Sequence, residues 1–188
     1  MAQEITYQSD LSGADERARG SDNRLNVSAR SDDRAYYNSR DKGETFSIVF
    51  DFQSASAGEF GGYFKNTSST GKSFVVAGVG INSVQASRIK LHFVTGDAAG
   101  GAPLIPTNLN GSSSNAATAT AMEGASAATG ITGLTSEAVI DFAYVTATGH
   151  QEFRLKDRLR LGQNDAIAVE YNEGTTGDFS GVIFGYFE

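Results

Sequence analysis

The stretch Thr45-Phe46-Ser47-Ile48-Val49-Phe50-Asp51-Phe52 sets Phe46, Ile48, Phe50 and Phe52 on one side of an extended chain and Thr45, Ser47 and Asp51 on the other. Side chains of a strand alternate between faces, so this period of two predicts a half-buried strand that opens a folded domain at Glu44. The alternation recurs downstream. In 87–95 it points Ile89, Leu91 and Phe93 inward and Arg88, Lys90 and His92 outward; in 151–161 it points Phe153, Leu155, Leu159 and Leu161 inward and Arg154, Lys156, Arg158 and Arg160 outward. Further strands are predicted at 62–66, 73–79, 138–146, 165–172 and 179–187, separated by turn-rich stretches such as Asn66-Thr67-Ser68-Ser69-Thr70-Gly71. Eight or so strands without helical crossovers imply antiparallel pairing, hence an all-β, jelly-roll-like sandwich over 44–188.

The composition agrees. Twelve Phe and seven Tyr, against no Trp and two Met, supply stiff groups suited to pleated surfaces. With no cysteine, neither a disulfide framework nor a thiolate metal site holds the chain together. The formal charge is −7 and unevenly shared: residues 1–43 hold eight acids and seven bases, and 44–188 hold fourteen acids and eight bases. An acidic domain repels phosphate backbones, so nucleic acid is not an expected partner. The first residues lack the basic and apolar regions of a secretory signal, and the longest apolar run, Phe74 to Ile81, is too short to cross a membrane. The triplets opened by Asn26, Asn66 and Asn110 match the glycosylation pattern and are read as chance matches.

Residues 1–43 read as an extended, charged N-terminal arm. Their large apolar residues are sparse and without period, which cannot offset the entropy of ordering. Ala18-Arg19-Gly20-Ser21-Asp22-Asn23-Arg24 is echoed by Ala29-Arg30-Ser31-Asp32-Asp33-Arg34. Two readings stand: a polyampholyte tail, or an arm ordered along neighbouring subunits, with Arg19, Arg24, Arg30 and Arg34 pairing with carboxylates and Tyr36 and Tyr37 as anchors. Between 96 and 136, both prolines, Ser112-Ser113-Ser114 and many Ala and Gly form a long connection with short strands near 104–108 and 117–122. Two readings stand for it: a floppy surface loop, or one that serves a contact by packing on a symmetry mate.

The search for chemistry excludes most of it. His92 and His150 stand in no metal-binding spacing; the first reads as an outward strand residue and the second as a turn residue. No nucleophile elbow is present, and a Ser/His/Asp triad would have to use one of those histidines. Gly71-Lys72-Ser73 and Gly78-Val79-Gly80 resemble fragments of nucleotide loops but lack the helix that would follow. Asn172-Glu173-Gly174, Gly177-Asp178 and Asp97 are oxygen donors that could suit calcium, though such loops are more often hairpin turns. No cofactor is expected. The concentrated charge is Arg154, Lys156, Arg158 and Arg160 on one strand, either a charged guard against edge aggregation or a docking stripe for a carboxylate-rich surface.

Taken together, Glu44 to Phe52, Leu91-His92-Phe93-Val94-Thr95-Gly96-Asp97-Ala98-Ala99-Gly100-Gly101, Thr107-Asn108-Leu109-Asn110 and Ser180 to Glu188 resemble virion structural proteins of tailed bacteriophages. The resemblance spans about 44–188. It implies a non-enzymatic virion subunit, a homotrimeric jelly-roll decoration or cement protein on the major capsid protein, or else a tail, fibre or spike component facing a host receptor or glycan.

Overall fold

A computed structural model describes residues 34–125, 129–172 and 177–188, together with the backbone of four short segments ahead of them and of residues 34, 35, 154, 156 and 157. The four segments pair in twos as antiparallel ladders, β1 (Thr6–Gln8) with β2 (Asp15–Arg17) and β3 (Gly20–Ser21) with β4 (Arg24–Leu25). They belong to a unit, 1–32, separate from the one formed by 33–188.

The second unit begins with a helical turn, α1 (Arg34–Tyr37) running into a π-helical turn at Asn38–Lys42. Here the structure departs from an extended arm that ends at residue 43. Gly43 stops the helix in the left-handed region at φ +60°, and its amide donates to the Ser39 carbonyl. A side chain at 43 would collide with Ser113, whose Oγ stands 2.3 Å from the place its Cβ would take.

Eleven strands follow: β5 (Thr45–Ser54), β6 (Glu59–Asn66), β7 (Phe74–Ser83), β8 (Ser87–Ala99), β9 (Ala102–Leu104), β10 (Thr107–Asn108), β11 (Ala119–Glu123), β12 (Thr132–Val145), β13 (Gly149–Leu161), β14 (Ala166–Tyr171) and β15 (Gly177–Phe187). They form a five-stranded sheet in the order β10-β5-β15-β7-β13 and a six-stranded sheet in the order β12-β8-β14-β6-β11-β9. Numbering only the eight long strands, the sheets contain first-eighth-third-sixth and second-seventh-fourth-fifth, all pairs antiparallel. That order is an eight-stranded jelly roll, as the alternation predicts.

The core lies between the sheets. Phe46, Ile48, Phe50 and Phe52 of β5 meet Phe64, Ile89, Leu91, Ile167 and Val169 from the other sheet. Each side chain so buried contributes about 1.5–3 kcal/mol of transfer free energy. The rings are seated over glycines: Phe50 lies against Gly62 and Gly181, Phe52 against Gly61 and Gly124, and Phe74 against Gly185. Glycine spacing thus sets where rings can enter.

Two irregularities change the inward parity. In β7, the pairing with β15 slips between Gly78 and Val76, so Val79 and Ile81 point inward ahead of the slip, and Phe74 and Val76 beyond it. In β6, the register with β14 slips between Gly62 and Phe60. A smaller cluster on the outer face of the six-stranded sheet, with Tyr63, Val94, Ile131, Ala166 and Ala168, is a second core that the alternation of single strands does not show.

Candidate functional site

Side chains of the long connection hold this chain's own helical turn. Asn110 Nδ2 donates to the Ser39 carbonyl at 2.7 Å, Asn115 Nδ2 to Lys42 at 2.9 Å, Asn108 Nδ2 to Gly43 at 2.8 Å, and Ser113 Oγ also to Gly43 at 3.3 Å. Carbonyls at a helix end lack intrahelical partners: the side chains supply donors to those of Lys42 and Gly43, and Asn110 adds a second donor to that of Ser39, which already accepts from Gly43. Asn108 and Asn110 are held in turn: each accepts, through Oδ1, the amide two residues on, Asn110 N and Ser112 N. Asn110 is therefore a structural clamp. Asn66 is held too, and is fully buried, donating to the Lys72 and Leu161 carbonyls at 2.9 Å each. Neither behaves as a free glycosylation acceptor.

Beside this clamp, Arg40 lies over the Tyr36 ring at 5.2 Å and Lys42 Nζ over Tyr37 at 5.3 Å. Tyr36 is exposed and Tyr37 half-buried. Among the other sequence-predicted contacts, Arg24 lies in β4 and Arg34 opens α1, as backbone positions only, while Arg19 and Arg30 lie outside the described residues. The structure thus brings Tyr36 and Tyr37 to the root of the N-terminal segment.

The basic stripe falls on β13, an end strand of the five-stranded sheet. Arg158 and Arg160 are exposed, as the alternation predicts, and Arg160 forms an ion pair with Glu188. Arg154 and Lys156 occupy β13 as well, within the interval where pairing to β7 slips between Arg154 and Leu159. The end strand of the other sheet, β12, is exposed along most of its length. It displays Val139, Phe142 and Tyr144 at 51%, 49% and 64% exposure. Phe142 and Tyr144 meet edge to face at 6.0 Å, with the Arg88 guanidinium over both at 4.7 and 5.6 Å. Sequence reasoning missed this rim, although the pattern Phe142-Ala143-Tyr144-Val145 carries it: the small Ala143 and Val145 point into the core and the rings point out.

His92 is a correction. It stands on the outward face of β8 as predicted but is 3% exposed, because Phe60 packs edge-on against it at 5.5 Å within the second apolar cluster. Nδ1 is 2.7 Å from Ser136 Oγ on β12, and Nε2 is 2.5 Å from Glu170 Oε2 on β14. The second contact is short but lacks hydrogen-bond geometry, and it is an ion pair only when the ring is protonated. Asn172 Nδ2 donates to Glu170 Oε1 at 2.6 Å, and Lys90 Nζ stands 3.8 Å from the same oxygen. Burial pushes the imidazole below its ordinary value and outweighs the upward pull of Glu170. A neutral imidazole between a hydroxyl and a carboxylate is the composition of a nucleophile relay with the ring reversed, serine on Nδ1 and carboxylate on Nε2. Here it ties three strands together.

Because the folded His92 binds its proton less readily than the unfolded one, the unfolded state holds more protons as pH falls below about 6.5. Stability is therefore full above that value and declines as pH drops toward the lowered folded pKa. We expect His92→Gln to flatten the denaturation midpoint between pH 7 and 5, which urea titrations at stepped pH would measure; an unchanged slope would remove the role.

His150 is an exposed residue at the start of β13, rather than in the turn before it, with Nδ1 2.9 Å from Asn82 Oδ1. It neighbours a cavity of about 230 Å³ lined by Asp51, Asn82, Ser83, Asp178 and Ser180. Among the described residues no group of three or more His, Cys, Asp or Glu is placed to hold a metal ion, and Glu173 and Gly174 of the calcium reading lie outside them. Lys72 of the nucleotide look-alike pairs with Glu44. Comparison with protein-family models, with curated proteins and with solved structures returned no match.

Proposed function

We propose that this chain is a structural subunit of a tailed-phage virion, a decoration or cement protein that assembles as a homotrimer and grips the major capsid protein through its charged N-terminal segment, without catalysis or cofactor. The observation that best supports this is the clamp. Four side-chain hydrogen bonds anchor residues 39–43, the root of a segment with few apolar residues of its own. The clamp stabilises the domain itself, and it also gives a gripping arm a fixed root through which load passes. The jelly roll supplies a stiff platform, and its use in capsid proteins is an analogy of fold.

The test is truncation. A chain starting at Asp33 is expected to fold like the whole protein, while one starting at Glu44 loses the clamp and melts lower, since each lost hydrogen bond costs about 0.5–1.5 kcal/mol. The first truncation should keep its oligomeric state and lose most binding to capsids stripped of the protein, read by co-sedimentation. Undiminished binding would reject the arm as the gripping element.

The exposed Phe142–Tyr144 pair favours a second reading, a tail, fibre or spike component that binds a glycan, because exposed rings are what sugar faces stack on. Binding on a glycan array that is lost in Tyr144→Ala would support it.

A further inference from the structure

We infer that the open side of the sandwich between β12 and β13 is where copies of this chain join, with β12 of one copy against β13 of the next. This rests on the reading of the chain as a self-assembling subunit.

Both strands are ends of their sheets, and the short turn 146–148 joins them. Among the described residues no strand pairs with their outer edges, which therefore lie on one side of this unit, a sheet spacing of about 10 Å apart. A free edge presents unpaired backbone donors and acceptors and invites another strand. The apolar surface concentrates at the same place. Of the eight large apolar side chains exposed among the described residues, Val139, Phe142 and Tyr144 are on β12, and Val84 adjoins the turn, its carbonyl accepting from Thr148 N.

Charge chooses the partner. The charged residues of β12 are Glu137 and Asp141, both exposed acids. Strand β13 carries four bases, Arg154, Lys156, Arg158 and Arg160, against the acids Glu152 and Asp157. Pairing β12 with another β12 about Val139 would set Glu137 opposite Asp141, a repulsive register. Pairing β12 with β13 sets acids against bases. Since each copy offers one edge of each kind on a single side, the contacts can close around an axis after two or three copies instead of growing into a fibre.

The experiment uses the full chain. Sedimentation equilibrium should give a closed oligomer, weakened at least about tenfold in dissociation constant by Glu137→Lys with Asp141→Lys, and likewise by Arg158→Glu with Arg154→Glu. Combining all four in one chain should restore assembly, a rescue that folding damage would not produce. A monomeric wild type, oligomers indifferent to the charge changes, or absent rescue with intact circular dichroism would each overturn the inference. Capsid co-sedimentation run beside it separates the two readings: loss of capsid binding by an intact oligomer defeats the virion reading alone, and oligomers that fail the charge test while binding capsids defeat this one alone.

Discussion

Gly185→Ala is expected to destabilise the sandwich strongly. A Cβ built at 185 would stand 2.1 Å from the Val75 carbonyl oxygen and 2.9 Å from the Phe74 ring. The first obstacle is backbone in the adjacent strand, so no rotamer change relieves it. Either β15 separates from β7 or the register slips, and both strands are central in their sheet. Overpacking a core commonly costs 1–3 kcal/mol, and a backbone clash in a central strand pair belongs at or above the upper end. Domains carry only about 5–15 kcal/mol of net stability. Gly111→Ala is the matched control, since nothing lies within 4 Å of a Cβ there. Urea midpoints of the two variants should differ widely; equal midpoints would mean that β15 and β7 are not packed as described.

The fold was legible because its longest signals are local. Phe46, Ile48, Phe50 and Phe52 alternate without interruption, and all four are buried. The same rule fails at His92. Its outward orientation was readable from β8 alone, but its burial depends on Phe60 and on a cluster with Tyr63 and Ile131, distant in sequence. The clamp was illegible for the same reason, since Asn108, Asn110 and Asn115 lie about seventy residues from the carbonyls they serve. Without that partner, residues 34–42 show no helical period and read as arm. The basic stripe and the strand at 138–146 were both legible, but the exposed rim of β12 and its place beside β13 were not, because adjacency of the two sheet ends is a property of the jelly-roll order and not of either strand.

The pairing of rings with glycines predicts coupled effects at Phe50 and Gly62. Phe50 is fully buried, and a Cβ at Gly62 would meet three atoms of its ring at 2.9 Å, with no backbone atom among its nearest neighbours. Gly62→Ala alone should cost about 1–3 kcal/mol, because the ring must move within a close-packed layer against Phe179, 6.1 Å away. Phe50→Ala alone should cost about 3–5 kcal/mol from lost burial and the cavity left behind. Phe50→Leu is the informative partner: it removes the ring edge that the new methyl would strike. In that background Gly62→Ala should become nearly neutral, a coupling of about 1 kcal/mol or more in a double-mutant cycle. Additive effects would instead place the cost of Gly62→Ala in the strand backbone, and glycine at 62 would then be a requirement of β6 rather than a seat for the ring.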